Sequence, residues 1–281
     1  MSTTVFAAVI FAALLHALWN ALIKGVGDTH LSMIALQLGS LPIAFGALLF
    51  VPAPAVESWP FVAGAVVLHF GYNMFLLISY RVGDFTQVYP IARGSAPLLV
   101  AGVSVLFLDV HLRVPEVIAI LMIGAGILSI SLVRHSDGGR NTSAALLALV
   151  TGCFIAAYSL VDGFGVRIAG TAVGFYCWVS ITTSILFAIY MRITRPGLIS
   201  LIPTRAKHVF LIGGNATFVA YSIVLWAFTQ EPIALVTALR ETSIVFAMLL
   251  GVFFLKEKFD LVKVCATTAT LFGAALLRLS T

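Results

Sequence analysis

The sequence predicts an all-α polytopic membrane protein, with ten transmembrane helices forming two inverted five-helix repeats. Three observations lead there. Of 281 residues, 61% are hydrophobic and 10% charged, whereas soluble domains are about half apolar and about a quarter charged. The apolar residues form continuous runs of about 20, the helix length that spans about 30 Å of hydrocarbon; membrane strands would alternate over about ten residues instead. Breaks of Pro, Gly and charge separate ten such runs, and the polar break at 134–141 divides them five and five.

The first span, 4–23, has no basic residue before it and no small-residue cleavage site after it, so it is expected to be a span and not a removable signal. Its His16, Trp19, Asn20 and Lys24 fall at i, i+3, i+4 and i+8 and share one face. The second, 31–50, is plainly apolar. The third, 60–80, opens beside an interfacial Trp59 and carries His69, Tyr72 and Asn73. The fourth, 86–108, contains VYPIARGSAP, with Tyr89 and Arg93 between Pro90 and Pro97. The fifth, 115–133, is unbroken. The sixth, 143–166, carries Tyr158 and Asp162 at i, i+4. The seventh, 172–191, and eighth, 207–229, are apolar. The ninth, 233–255, holds Arg240 and Glu241, and the tenth is 261–278. Residues 1–137 and 138–281 are the two repeats of a single integrated transmembrane domain.

Five spans is an odd number, so related halves must be inverted. Residues 91–112 lie over 238–259 at a constant offset of 147, which places Arg93 on Arg240 and Val105 on Val252. Of 16 Lys and Arg, two lie inside spans, eleven in turns on the side opposite the termini and three on the terminal side. That bias puts both termini outside the cytoplasm, in the periplasm of a bacterial inner membrane.

A charge inside a span is costly and normally faces the bundle interior or a wet cavity. Arg93 and Arg240 enter from opposite ends, each about eight residues or roughly 12 Å deep, and so end near the midplane. Inverted-repeat carriers bind their cargo at that level. The two prolines remove backbone donors either side of Arg93, so span four is expected to bend and to be the moving part, and span nine to stay straight. Plainer readings remain open. Arg240 could bridge to Glu241 or Asp162, and Arg93 to a carbonyl freed at Pro97. The His and Asn stripes could be interhelical glue, and Asp162 a solvated end-cap. Asp84, Glu231, Glu257 and Asp260 read as solvated turn charges. Cys153, Cys177 and Cys265, all in apolar runs without a CxxC spacing, read as core thiols.

Other classes are excluded by pattern. The net charge of +5 is spread over turns and is not a nucleic-acid footprint. The chain has no GxxxxGK[ST], no HExxH, no GxSxG and no TVGYG-like filter.

Ten spans in about 280 residues, a five-plus-five repeat, HALWN at 16–20 and LKEKF after span nine resemble the EamA type of the drug/metabolite transporter superfamily. The first half keeps the family's proline at Pro97 but has Asp109-Val110 for its Gly-Glu; the second half has Ile244 and Lys256-Glu257. The resemblance implies a central cavity lined by spans one, three, four, six, eight and nine, alternating access, and a cargo such as the amino acids exported by transporters of the YddG type.

The resulting expectation is a secondary transporter, not an enzyme, exporting amino acids or similar small amphipathic metabolites. Arg93 or Arg240 would receive a carboxylate, and Glu241 or Asp162 an ammonium. Trp19, Tyr72, Tyr89 and Tyr158 would pack the side chain, with His16, Asn20, His69 and Asn73 also facing the cavity. The expected partners are a small-molecule substrate and the lipid bilayer, with protons as a candidate coupling ion and no nucleic acid, cofactor or metal; a monomer suffices. The rival readings are transport of drugs or cations, sugar phosphates or nucleotide sugars, a membrane enzyme using His16 and His69, and a structural or sensory subunit.

Overall fold

The computed structural model describes residues 1–24, 26–83, 85–130, 141–255 and 261–279, without the side chains of 24, 85, 86, 130, 251–255 and 261–263. The break at 134–140, Asp84 and the turn holding Lys256, Glu257, Lys258 and Asp260 lie outside the described residues, as do the side chains of Lys24 and Lys263.

The described part of each apolar run is mostly helical, and no strand occurs among the described residues. The first half comprises α1 (Thr3–Lys24), α2 (Thr29–Leu48), α3 (Trp59–Val82), α4 (Phe85–Phe107) and α5 (Val114–Ile130). The second comprises α6 (Thr142–Ala169), α7 (Ala172–Thr194), the short α8 (Ile202–Arg205), a π-turn (Val209–Gly213) leading into α9 (Gly214–Gln230), α10 (Ile233–Arg240), α11 (Ser243–Leu255) and α12 (Leu261–Leu279). Among the described residues, eight helical segments are long and apolar enough to cross a membrane; Val114–Ser129 and Val264–Leu279 are apolar but shorter.

Local signals set the helix ends. Asp28 accepts from Leu31 N at 3.1 Å, Asn141 from Ala144 N at 3.1 Å and Thr171 from Gly174 N at 3.1 Å, each occupying an amide that has no partner within its helix. α6 stops at Gly170, whose φ of 71° is a left-handed cap.

The prolines do not interrupt span four. α4 is one continuous helix with Pro90 and Pro97 inside it. Pro97 has no N–H for the Arg93 carbonyl, but a fixed φ near −65° is helical. α5, α6 and α10 hold α4 along its length, with Gly94 against the Gly124 carbonyl of α5. The interruption falls in span nine. Between α10 and α11, Glu241, Thr242, Ile244 and Val245 each donate to the residue three before it, at 2.9–3.0 Å, and the i→i+4 ladder lapses for one turn. Glu241, in this tight turn, lies against Arg93 of α4.

Part of the packing recurs between the halves. α3 and α4 both pack on α6, and α9 and α10–α11 both pack on α1. α2 packs on α9 as α7 packs on α3, while the α2–α7 and α5–α12 pairs map onto themselves when the halves are exchanged. Most principal contacts therefore cross between halves, and neither half forms a bundle of its own.

The two ends of the bundle differ. At the end carrying the chain termini, Val5, Val9, Phe175, Phe228 and Leu235 form part of one continuous core. Trp59 packs edge-on against Trp178 at 5.2 Å there. Polar ties reinforce that closure: Arg167 donates to the Phe228 carbonyl at 2.8 Å and the Glu231 carbonyl at 3.0 Å, and Glu231 Oε1 accepts from Ser2 N at 3.0 Å. Glu231 is thus a tied residue and not a solvated turn charge. The cysteine expectation holds only for Cys177; Cys153 and Cys265 are exposed on the outside of the bundle, because an apolar run does not by itself say which face turns inward.

Candidate functional site

A cavity of about 300 Å³ enters the bundle from the end opposite the termini. Its mouth is Gly27, Asp28 and Thr29 in the α1–α2 turn, and its floor lies past mid-bundle at Ala12, Tyr176 and Val224. Each wall is a stripe at helical spacing. On α1 the stripe continues through His16, Trp19 and Asn20, and on α3 it is His69, Tyr72 and Asn73. Tyr89 and Arg93 face in from α4, Tyr158 from α6 and Arg240 from the end of α10.

The structure brings these residues to one space. Asp162 and Glu241 do not line it; both sit directly behind side chains that do. α2 and α7, which the family pattern leaves out, also form wall. Gln37 and Ser40 on α2 face Ser180 and Thr183 on α7, and Ser40 Oγ lies 3.3 Å from Ser180 Oγ. Tyr176 and Tyr221 were missed as well. Each sits among other aromatics of its helix, with Phe175 and Trp178 beside Tyr176 and Phe218 beside Tyr221, and lacks the neighbouring His or Asn that marks α1 and α3.

Two charged clusters frame the cavity. In the first, Glu241, 1% exposed, lies between two arginines from different halves. Arg93 Nε is 2.8 Å from Glu241 Oε2, and Arg240 Nη2 is 3.7 Å from Glu241 Oε1. The Arg93 Nε–H does not point along the shorter contact, so this is an ion pair and not an aligned hydrogen bond. Arg93 Nη2 also donates to Ser243 Oγ at 3.3 Å, on the far side of the span-nine break. Arg93 is therefore bound to span nine and not to a freed carbonyl at Pro97. Arg240 is 3% exposed, yet its Nε and Nη2 have no hydrogen-bond partner among the described residues. Two guanidiniums and one carboxylate leave this cluster with one net positive charge.

The second cluster is acidic. Asp162 is fully buried, which removes the solvated end-cap reading. Its Oδ2 lies 2.8 Å from His69 Nε2 and accepts from Tyr221 OH at 2.5 Å. The His69 ring stacks on Tyr158 at 4.2 Å and meets the edge of Tyr221 at 5.5 Å. Tyr72 and Tyr176 extend the aromatic wall, at 5.6 Å from Tyr158 and 5.0 Å from Tyr221. Asn20 is less available than its position suggests, since its amide donates to the His16 carbonyl at 2.8 Å. Trp19 presents a buried indole N–H that has no partner among the described residues.

A buried positive cluster with spare donors, an aromatic wall and a screened carboxylate can hold a small molecule that carries an anionic group, an apolar body and a cationic group. Comparison with known proteins bears on the fold and on the second half. No curated protein matches the chain. One crystal structure, whose title names no function, shares the fold with a TM-score of 0.76 at 18% identity, covering 100% of this chain and 98% of its own. Residues 142–279, which carry Tyr158, Asp162, Arg240 and Glu241, match the model of the EamA-like transporter family.

Proposed function

We propose that the whole chain is a secondary transporter of the EamA type, which exports amino acids or similar small amphipathic carboxylates by alternating access. The EamA-like match covers the second half, and it favours transport over catalysis. The packing that maps onto itself when the halves are exchanged supports extending that reading to residues 1–137, as one of two inverted five-helix repeats in a ten-span protein. The bias of basic residues supports an inner-membrane orientation with periplasmic termini. The cavity then opens to the cytoplasm and is shut toward the periplasm by the core and the Arg167–Glu231–Ser2 ties.

The observation that carries the cargo class is Arg240. Its guanidinium lines the cavity and two of its nitrogens have no hydrogen-bond partner among the described residues, so it keeps donor capacity for a carboxylate. One net positive charge balances one negative charge, which fits a carboxylate better than a sugar-phosphate dianion. Glu241 is already held by the arginines, and Asp162 is screened by His69 and Tyr221. A cargo ammonium therefore meets the faces of Tyr72, Tyr158 and Tyr221, in cation–π contact. Glu241 would compete with the cargo carboxylate for Arg93, and the span-nine turn is placed to move as that competition resolves.

The test is uptake of a labelled amino-acid panel by proteoliposomes, beside empty vesicles and the Arg240→Gln and Arg93→Gln proteins. Protein-dependent uptake of at least one amino acid is expected, reduced at least tenfold by Arg240→Gln. Uptake equal to empty vesicles across the panel would reject the cargo class. Normal uptake by both variants would reject the site.

A further inference from the structure

We infer that the His69–Asp162–Tyr221 cluster is a proton-binding site, and that the proton held there is exchanged for the cargo. This rests on the transport reading above. The cluster draws on both halves, with His69 on α3, Asp162 on α6 and Tyr221 on α9. Asp162 is fully buried one side-chain layer behind the cavity wall, while His69 and Tyr221 are part of that wall. His69 is 15% exposed at its side chain, so it is the polar group through which a proton from the cavity reaches the carboxylate.

The bonding leaves room for that proton. An ionised carboxylate only accepts, so Asp162 Oδ2 fixes the neutral imidazole with its hydrogen on Nε2 and takes a second hydrogen from Tyr221 OH. Asp162 Oδ1 is buried and has no hydrogen-bond partner among the described residues. A static link between helices would be expected to satisfy both oxygens, because a buried unpaired acceptor costs its full desolvation. Neutral donors alone therefore leave the Asp162 charge under-compensated, and a positive charge on the adjacent imidazole compensates it. On protonation, H⁺ from cavity water adds to His69 Nδ1, giving an imidazolium against the Asp162 carboxylate. On release, the same proton returns from Nδ1 to cavity water.

The surrounding charges make proton and cargo exclusive. The titratable and charged groups that face the cluster are Tyr158 on α6, Tyr72 on α3, Tyr176 on α7, His16 on α1, Arg93 on α4, and Arg240 with Glu241 in span nine. The phenols are neutral, and the arginine cluster contributes one net positive charge. With cargo absent, the proton neutralises Asp162. With cargo present, its ammonium over Tyr72, Tyr158 and Tyr221 neutralises the same carboxylate, and an imidazolium beside it would be repelled. Cargo binding from the open end therefore expels one proton to that side, and the emptied carrier returns with a proton taken from the other. The result is antiport, with cargo moving out as protons move in.

The experiment uses full-length protein in proteoliposomes containing a trapped pH-sensitive dye, with labelled phenylalanine as the probe. In the wild type, an imposed pH gradient is expected to drive phenylalanine above equilibrium, and phenylalanine flux to move protons the opposite way. In Asp162→Asn and His69→Gln, the phenylalanine exchange that remains at equal pH is expected to be uncoupled: it moves no protons, and gradient-driven accumulation falls to the equilibrium level. A wild type that exchanges phenylalanine but moves no protons overturns the inference and leaves the transport reading intact. Accumulation retained by Asp162→Asn also overturns it. If both variants lose exchange together with accumulation, the cluster supports binding or folding and the inference fails. No exchange by the wild type removes the transport reading for this cargo and the coupling with it. The wild-type measurement decides the matter even where a variant does not fold.

Discussion

Replacing Glu241 by Gln removes the negative charge that faces both buried arginines. At an effective dielectric of about 20, unit charges 2.8 Å and 3.7 Å apart attract by about 6 and about 4 to 5 kcal/mol. Desolvation offsets much of that gain when the pairs form. It does not return when one partner is deleted, and leaving buried charges unpaired costs about 3 to 5 kcal/mol. For a chain of this size each kcal/mol shifts the melting temperature by about 2 to 4 °C, so Glu241→Gln is expected to melt roughly 6 to 20 °C below wild type. The assay is thermal unfolding in detergent followed by intrinsic fluorescence. Removing Arg93 as well should recover part of the loss, because fewer guanidiniums then share the site; the double variant Arg93→Gln/Glu241→Gln is expected to melt above Glu241→Gln alone. A single variant within about 2 °C of wild type would refute the view that Glu241 neutralises this cluster.

Three further outcomes follow from particular contacts. A Cβ at Gly39 would overlap the Phe210 carbonyl where α2 meets the π-turn, so Gly39→Ala is expected to cost about 1 to 3 kcal/mol; an unchanged detergent melt would show that α2 does not approach there. Asn141→Ala frees both the Ala144 amide and the Val82 carbonyl and should cost about 1 to 2 kcal/mol by the same melt; no loss would mean that the cap does not form. With the native cysteines replaced, a cysteine at Val56, 78% exposed near the terminal end, should react with an impermeant maleimide on intact bacterial cells, and one at exposed Ser200 should not. The reverse pattern would place the termini in the cytoplasm.

The helices were legible in the sequence because each is an apolar run closed by polar turn residues, and no tertiary contact is needed to see that. The stripes on α1 and α3 were legible because His, Trp, Tyr and Asn at i, i+3 and i+4 stand out against Ala and Leu. α2 and α7 were not, since Ser40, Ser180 and Thr183 bond as readily to neighbouring backbone as they line a cavity. Serine and threonine in a membrane helix carry too little signal to choose between those roles. The two arginines could be placed near mid-depth from either end of the chain. Glu241 was open as a partner of Arg240, but its contact with Arg93 could not be foreseen, because the two lie 148 positions apart and meet through a turn that no proline marks. Pro90 and Pro97 pointed to the wrong helix for a break. Proline removes one hydrogen bond but keeps helical φ, and α4 continues through both prolines against three packed neighbours, whereas the ladder lapses in span nine, where Glu241 lies between two guanidiniums. Asp162 looked ordinary near the end of span six. Its α6 helix runs on to Ala169, three residues past the expected end at 166, which leaves Asp162 about two turns from the helix terminus.

The carboxylate at Arg240 is tested most directly by a cycle between protein and ligand. Binding of phenylalanine and of phenylalanine amide, which keeps the ammonium and ring but lacks the carboxylate, is measured by calorimetry on the wild type and on Arg240→Gln. A charge-assisted contact of about 1.5 to 3 kcal/mol should make the wild type prefer the acid by roughly 10- to 100-fold, and Arg240→Gln should bind the two ligands about equally. The contrary result is an equal preference for the acid in both proteins, or a wild type that does not discriminate between them.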